Sequence, residues 1–183
     1  MARILIEPDD IIACICEGNS ESALINKLLD SDSLIFTREQ LINNELLVNY
    51  SAMDFQRKHL NMVYDKKIKI FLVFDRPTWG KIKSPYNEQI AQQIFIITAP
   101  EIEMLMIHAE NLFNEYKKQK LKPSEFLATR WKKRIPAIKS YNFIMKYYKD
   151  KDLINAILEY KRCKKFSKNE FCLADLLKLE LAE

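Results

Sequence analysis

The stretch that decides the fold is residues 11–21, IIACICEGNSE. Its first six residues are continuously apolar, as expected for a strand that is buried on both faces of a parallel sheet. Glu17 and Gly18 follow at once, and apolar residues at helical spacing come after Ser20. Gly18 is one of only two glycines in the chain, and glycine suits a sharp turn because it tolerates positive φ and close backbone approach. We therefore predict a buried strand, a tight turn and a helix over residues 20–29.

Two further apolar runs predict buried strands, at residues 69–74 and 94–98, and helical patterns alternate with them. This alternation predicts an α/β fold with a parallel sheet and right-handed crossovers. After residue 120 no strand pattern remains, and short helical patterns rich in lysine and tyrosine follow. We therefore predict an α/β core over residues 1–118 and a basic helical extension over residues 119–183, packed on that core.

Weaker patterns predict the elements between these strands. They are a possible short strand at residues 33–36, a helix N-cap at Thr37 with Gln40 in the capping-box position, a helix over 54–64, a short helix over 86–92, and a long helix that Pro100 opens and that runs to about Lys118.

The composition is that of a soluble globular chain, with 48% apolar and 30% charged residues. No run approaches eighteen apolar residues, so a membrane-spanning helix is not expected, and Glu7 comes too early for a signal peptide. The four cysteines include no Cys-x-x-Cys pair and the two histidines lie far apart, so a zinc site is not expected either. We expect a cytoplasmic protein with reduced cysteines and no membrane partner.

Acidic residues follow each of the three predicted strands. The first is followed by Glu17 and Glu21, the second by Asp75, and the third by Glu101 and Glu103. The carboxyl ends of parallel strands lie at one edge of the sheet, where ligands bind in open α/β sheets, so we expect these acids to converge. Clustered carboxylates repel one another unless a cation lies among them, and Mg²⁺ prefers oxygen ligands. The pattern therefore predicts a divalent metal site suited to phosphodiester chemistry.

This ordered series resembles the Toprim domain, the catalytic fold of topoisomerases, bacterial primases and the overcoming-lysogenization-defect nucleases. The resemblance covers roughly residues 10–110 and is closest to the nucleases at its opening. It implies that Glu17 is the catalytic residue, as a metal ligand or general acid/base, and that Glu21 and Asp75 are further ligands of Mg²⁺ or Mn²⁺. The segment 100–108 also looks like a motif of small Toprim-like phage-defence proteins, in which the acid supports the metal.

The chain departs from the Toprim pattern after the second predicted strand. The family's second motif is Asp-x-Asp, whereas residues 75–77 read DRP. Either Glu101 or Glu103 replaces the missing ligand, or the site is degenerate and hydrolyses nothing. The acids also have simpler interpretations, because the helix dipole favours an acid in a first helical turn, as at Glu21, and Asp75 could cap a turn.

The net charge of +4 conceals an asymmetry along the chain. Residues 114–168 carry 17 Lys and Arg against 5 Asp and Glu, whereas the rest carries 12 against 20. This concentration favours a surface for the backbone of DNA or RNA, although lysine-rich surface helices are the simpler explanation. The candidate nucleic-acid contacts are four cations and an aromatic residue that could stack on a base: Arg130, Trp131, Lys132, Lys133 and Arg134.

The whole chain is also similar to a small bacterial family sometimes labelled N-6 adenine DNA methylase, through residues 16–19, 98–105 and 122–126. The residues argue against that activity. The chain has no Asn/Asp-Pro-Pro-aromatic tetrapeptide to hold a flipped adenine, and two glycines cannot supply a glycine-rich loop for a methyl-donor cofactor.

Three functions stay open on the sequence. The first is a Toprim-like, Mg²⁺- or Mn²⁺-dependent phosphodiesterase or nuclease in DNA metabolism or phage defence. The second is a catalytically inactive Toprim-like module that binds nucleic acid or a protein partner. The third is a structural or interaction protein in which the acids only cap helices and turns.

Overall fold

A computed structural model describes residues 3–149, 151–166 and 170–182, and within them it has a four-stranded, all-parallel sheet flanked by helices. The strands are β1 (Ile11–Cys16), β2 (Leu47–Val48), β3 (Ile68–Phe74) and β4 (Ile90–Ile97). Their order in the sheet is β2-β1-β3-β4. The predicted α/β class with a parallel-sheet core is confirmed.

The sheet buries both of its faces, because successive side chains of each strand point to opposite sides. β1 pairs with β3 so that Cys14 lies beside Phe71 and Ile15 beside Leu72. Cys14 and Phe71 belong to the larger of two hydrophobic clusters, and Ile15 and Leu72 belong to the smaller. All four side chains are fully buried. This two-sided burial explains why β1 is continuously apolar in sequence, whereas β4 carries the exposed Gln92 and Gln93 in its first half.

Helices cover the two faces of the sheet unequally. The smaller cluster includes Phe55, which packs on one face of the sheet. The larger cluster, on the other face, includes many residues after position 119. The α-helices of the described residues are α1 (Asn19–Asp30), α2 (Ala52–His59), α3 (Met104–Ala109), α4 (Phe113–Tyr116), α5 (Pro123–Trp131), α6 (Ile135–Ile138), α7 (Tyr141–Tyr147), α8 (Leu153–Cys163) and α9 (Leu179–Ala182). Short 3₁₀ helices span Ile42–Asn44, Tyr86–Gln89 and Leu173–Leu176.

The C-terminal helices share a hydrophobic core with the sheet. α7 packs against α1, and α8 packs against α3. Ile144 of α7 and Ile157 of α8 are buried in the same cluster as Cys14 and Phe71. This packing brings the junction between α6 and α7 to the carboxyl edge of the sheet, where the predicted acids lie.

The long helix predicted from Pro100 to about Lys118 is wrong. α3 begins only at Met104 and ends at Ala109, and α4 is a separate single turn. Asn111 lies between them with φ 56°, in the left-handed region that interrupts a right-handed helix and that asparagine tolerates better than most residues.

Other local predictions are altered at their ends. Residues 33–36 form a single β-bridge, between Leu34 and Leu177, in place of the predicted short strand, while β2 is a strand that the sequence analysis did not predict. α2 begins at Ala52, two residues before the predicted start, because the Ser51 hydroxyl caps it by accepting a hydrogen bond from the Asp54 N–H. The predicted helix over 86–92 is a 3₁₀ turn, since β4 already starts at Ile90.

The predicted helix N-cap at Thr37 makes only half of a capping box. Gln40 Oε1 accepts the Thr37 N–H at 3.0 Å, but the next helical residues are the 3₁₀ turn Ile42–Asn44.

The segment after α8 returns to the sheet and becomes part of its core. Ile97 donates its N–H to the Phe171 carbonyl at 2.8 Å, so Phe171 extends the sheet beyond β4. Ile35 donates in the same way to the Leu176 carbonyl at 2.8 Å, and the Leu176 side chain is fully buried.

Among residues 3–149, 151–166 and 170–182, no helix has both the length and the apolar character that crossing a bilayer requires.

We predict that Leu176→Ala lowers the free energy of unfolding by about 2–5 kcal/mol, because it leaves a cavity in the core. Leu179→Ala is the matched control, since Leu179 is 50% exposed, and we expect it to change stability by about 0.5 kcal/mol or less. Urea denaturation of the two variants measures the difference. Equal losses would contradict the placement of this segment in the core.

Candidate active site at the carboxyl edge of the sheet

The ends of β1, β3 and β4 are joined by side-chain hydrogen bonds. Glu17 follows β1 and accepts the backbone N–H of Asp75 at 2.8 Å through Oε2. Asp75 follows β3 and accepts the hydroxyl of Thr98 at 2.8 Å through Oδ1. Thr98 follows β4 and is buried. Glu17 is exposed at the mouth of the sheet. Two predicted site residues are therefore in direct contact, and their positions follow from the parallel order of the strands.

Gly18 makes room for the carboxylate of Glu21. The expected positive φ at Gly18 is wrong, because its φ is −154°, an extended conformation that other residues adopt. The expected close approach does occur. A Cβ at position 18 would lie 3.3 Å from Oε2 of Glu21, tighter than an ordinary contact. The Glu21 carboxylate thus folds back over the turn from α1, and a side chain at position 18 would crowd it.

Glu101 and Glu103 are bound to the helical layer through Lys139. The Lys139 ammonium donates to Oε1 of Glu101 at 3.0 Å and lies 3.3 Å from Oε2 of Glu103. Glu101 also accepts the Ser124 N–H at 2.9 Å, and Glu103 accepts the Ser20 hydroxyl at 2.8 Å. Glu103 is 1% exposed. One lysine and two serines therefore satisfy much of the hydrogen-bonding capacity of these two acids.

The pKa values of the acids at this edge are shifted in different directions, according to the burial and the partners of each carboxyl group. Burial raises the pKa of Glu21 to about 7, and the negative charges of Glu103, Asp75 and Glu17 add to this effect. Burial also raises the pKa of Asp75, although the Thr98 hydrogen bond opposes it. Glu101 differs, because the hydrogen bonds from Ser124 and Lys139 outweigh its burial and hold its pKa below the ordinary value.

The pKa of Glu103 is raised, although this glutamate has a cation and a hydroxyl group as partners. Burial raises its pKa, and the charge of Lys139 and the hydrogen bond from Ser20 only partly offset that effect. The same two glutamates raise the pKa of Lys139 above its ordinary value despite the burial of the ammonium, which keeps the lysine charged.

Three carboxylates retain oxygens that could accept a further ligand. Glu17 and Asp75 each use one oxygen in the bonds between strand ends, and Glu21 makes no side-chain hydrogen bond to another described residue. As they stand, however, no three His, Cys, Asp or Glu side chains in residues 3–149, 151–166 and 170–182 are placed so that they could hold a metal ion. The donors suit Mg²⁺ or Mn²⁺ in type, and they would have to rotate to surround one.

The predicted nucleic-acid contacts lie at the end of α5 and in the link to α6. Arg130 pairs with Glu115 at 2.7 Å, whereas Lys132, Lys133 and Arg134 are exposed. α6 is a single turn, so this basic stretch ends at Arg134, directly before α6, and Lys139 directly follows α6.

The Trp131 indole in this stretch is half-buried. Its ring centroid lies 5.9 Å from that of Phe143 and 5.6 Å from that of Tyr147, so much of its surface packs against the protein.

The structure brings the five predicted acids to one edge of the sheet, and it adds four residues that the sequence analysis missed. Thr98 and Ser20 have a sequence signal, because Thr98 ends a predicted strand and Ser20 begins the helix predicted after the turn. Ser124 and Lys139 have none, since their place depends on how the C-terminal helices pack. Searches of protein-family models, of curated proteins and of solved structures each found no match to this chain. The fold and site therefore define an all-parallel α/β protein with clustered carboxylates at the carboxyl edge of its sheet.

We predict that the Glu21 carboxyl makes the protein less stable as the pH rises. Its pKa is about 7 in the folded state against an ordinary value of 4.5, so the folded state binds this proton more tightly. The contribution of this proton to stability is complete below pH 4.5 and is lost between pH 4.5 and pH 7, by about 3 kcal/mol. Glu21→Gln should remove this loss and be more stable than wild type at pH 8.

Urea denaturation at pH 5 and pH 8 tests this prediction, with Glu88→Gln as the control at an exposed glutamate. Stability curves of Glu21→Gln that run parallel to those of the wild type and of the control would contradict a buried, protonated Glu21.

Proposed function

We propose that this protein is a Toprim-like phosphodiesterase or nuclease that depends on Mg²⁺ or Mn²⁺ and acts on nucleic acid. The observation that carries the proposal is Glu21. Its carboxylate is buried at the ligand-binding edge of a parallel sheet, makes no hydrogen bond to another described residue and lies among three other carboxylates. Its own backbone N–H is the hydrogen bond that favours the charged form, and it only partly offsets the cost of burial, so a ligand that supplies positive charge accounts for the presence of this acid.

Glu17, Glu21 and Asp75 would hold the cation in this proposal. Each retains an oxygen that is not used within the described residues, whereas Glu101 and Glu103 are occupied by Lys139. A bound divalent cation would polarise a phosphodiester oxygen and make its water ligand more acidic. The N–H of Asp75 binds one oxygen of Glu17, and Thr98 binds one oxygen of Asp75, so the strand ends already bring two of the three proposed ligands side by side.

The substrate class follows from the charge beside this edge. Lys132, Lys133 and Arg134 are exposed, and they precede Lys139 by five to seven residues in the chain. A polyanion that lies along these cations would pass the mouth of the sheet, and phosphate contacts of this kind give binding that does not depend on base sequence. We propose the backbone of DNA or RNA as this polyanion.

The cell context belongs to the same proposal. All four cysteines are free, and three of them are buried, which is compatible with a reducing compartment. We propose a cytoplasmic protein of DNA metabolism or phage defence.

A second candidate is a catalytically inactive Toprim-like module that binds nucleic acid or a protein partner. Lys139 favours it, because its ammonium already pairs with two of the five acids, and because the described residues hold no metal-ready group of three ligands. In such a module the lysine would replace part of the charge that a cation supplies in an enzyme.

We predict that Glu17→Gln abolishes metal-dependent cleavage of plasmid and single-stranded substrates, by about 100-fold or more, because it removes one anionic ligand at the reacting centre. Glu17 is exposed, so stability should stay near that of wild type. Cleavage assays with Mg²⁺ and with Mn²⁺ measure the effect, with Glu88→Gln as the control. Equal cleavage by both variants would remove Glu17 from the site. No cleavage by wild type under conditions in which nucleic acid binds would favour the inactive module.

We predict that reversing the charges of Lys132 and Lys133 to glutamate weakens nucleic-acid binding and lowers its salt dependence. Each lost phosphate contact reduces the slope of log K against log salt by about 1, so the double variant should lose about 2. Fluorescence anisotropy at several salt concentrations measures the slope, and Lys81→Glu, at an exposed loop position, is the control. An unchanged slope would remove this stretch from the binding surface.

A further inference from the structure

A cavity of about 440 Å³ lies on the other side of the segment that carries Glu101 and Glu103. Ala99, Pro100 and Met104 line it on that side. Its volume falls in the range of small-molecule sites, and its lining is mostly apolar, as is usual for them. It is separate from the carboxylates, since none of the five acids at the sheet edge lines it.

Four aromatic rings line the cavity: His108, Phe113, Tyr116 and Tyr160. The imidazole of His108 stacks on Phe113, with 4.8 Å between the centroids and 28° between the planes, and Tyr160 meets it edge-on at 6.3 Å. Such walls suit a flat, aromatic ligand, which can stack on them or meet them at an edge.

His108 adds a polar group that the protein leaves unsatisfied. Its side chain is 7% exposed, and Nε2 has no hydrogen-bond partner. Burial lowers the pKa of His108, so the ring is neutral at pH 7 and carries one donor and one acceptor nitrogen. A buried polar atom without a partner in a cavity wall is a feature that a hydrogen-bonding ligand explains.

Lysines line the mouth of the cavity. Lys164 donates to the Ala99 carbonyl at 2.9 Å and to the Tyr160 hydroxyl at 3.1 Å, which leaves one of its three N–H groups for another acceptor. Lys165 also lines the cavity and is exposed. Lys117 does not line the cavity, but its ammonium lies over the ring of Phe113, 5.0 Å from the centroid. No Asp or Glu of the described residues lines the cavity, so the mouth suits an anion.

We propose that this cavity binds a nucleotide, with its base against the aromatic walls and its phosphate at Lys164 and Lys165. The aromatic walls select a flat ring, His108 offers a hydrogen bond to a ring nitrogen or carbonyl, and the lysines select a negative charge. The nucleotide is either a free mononucleotide or the terminal nucleotide of a DNA or RNA strand. This proposal goes beyond the phosphodiesterase and does not depend on it, because the cavity contains none of its acids.

Isothermal titration of the full chain with adenosine 5′-monophosphate tests the proposal. EDTA in the buffer removes divalent cations, so that the carboxylate edge cannot contribute and the two proposals are tested separately. Adenosine and inorganic phosphate are titrated in parallel, together with a trinucleotide that carries a 5′-phosphate. We expect saturable binding of the monophosphate that is stronger than binding of adenosine or of phosphate alone.

Two variants locate the site. Phe113→Leu should weaken the binding of the monophosphate by about 3- to 10-fold, because it removes a stacking surface. Lys165→Gln should weaken it by a similar factor, about 3- to 10-fold, and this exposed position does not threaten the fold. Lys146→Gln, at an exposed lysine that does not line the cavity, should leave binding unchanged within about twofold.

The outcomes separate the possible sources of the ligand. Comparable binding of the monophosphate and the trinucleotide identifies a free nucleotide, and binding of the trinucleotide at least tenfold tighter identifies a strand end. No binding of either, or binding that neither Phe113→Leu nor Lys165→Gln weakens, would overturn the proposal. Adenosine or phosphate alone binding as tightly as the monophosphate would overturn it as well.

Discussion

The ion pairs of Lys139 with Glu101 and Glu103 are the constraint on which the rest of the structure depends. Glu103 is nearly inaccessible, and a buried carboxylate without a cation costs several kcal/mol. The ammonium that offsets this cost comes from the junction between α6 and α7, so Glu103 is buried together with a cation only when the C-terminal helices are docked. Ser20 ties α1 to the same group through the Glu103 carboxylate. Sheet, first helix and C-terminal layer thus meet at one charged contact.

Much of the fold could be predicted because burial on both faces leaves a plain signal in sequence. β1 has no polar residue and β3 is apolar from Ile70 onward, and the alternation with helices then leaves few topologies. The rest depended on contacts between distant segments. β2 is two residues long and lacks such a run. The break at Asn111 is one residue in a left-handed conformation, which an apolar periodicity does not reveal.

The same distinction, between signals in the local sequence and contacts between distant segments, applies to the residues of the site. The acids could be predicted because each follows a predicted strand within a few residues, and the parallel order of strands brings such ends together whatever their distance in sequence. The hydrogen-bond and ion-pair partners of these acids could not be predicted in the same way, because Lys139 and Ser124 lie in C-terminal segments whose position in space is determined by hydrophobic packing. Gly18 was correctly predicted to be important for the turn after β1, but for the wrong physical reason. The sequence suggested a backbone conformation, whereas the glycine provides space for a neighbouring carboxylate.

The edge of the sheet carries more negative charge than its own cation neutralises, and this imbalance links its possible functions. Lys139 accounts for one charge, and the pKa of Glu21 near 7 shows that a proton partly accounts for another. A proton and a divalent cation are alternative ways to neutralise the same carboxylate. If a cation binds among Glu17, Glu21 and Asp75, it must displace the proton of Glu21. The affinity of the protein for the cation then increases as the pH rises. If no cation binds, the proton alone neutralises Glu21. The acids then have no catalytic role, and the protein is an inactive module whose positive surface charge comes from its helices.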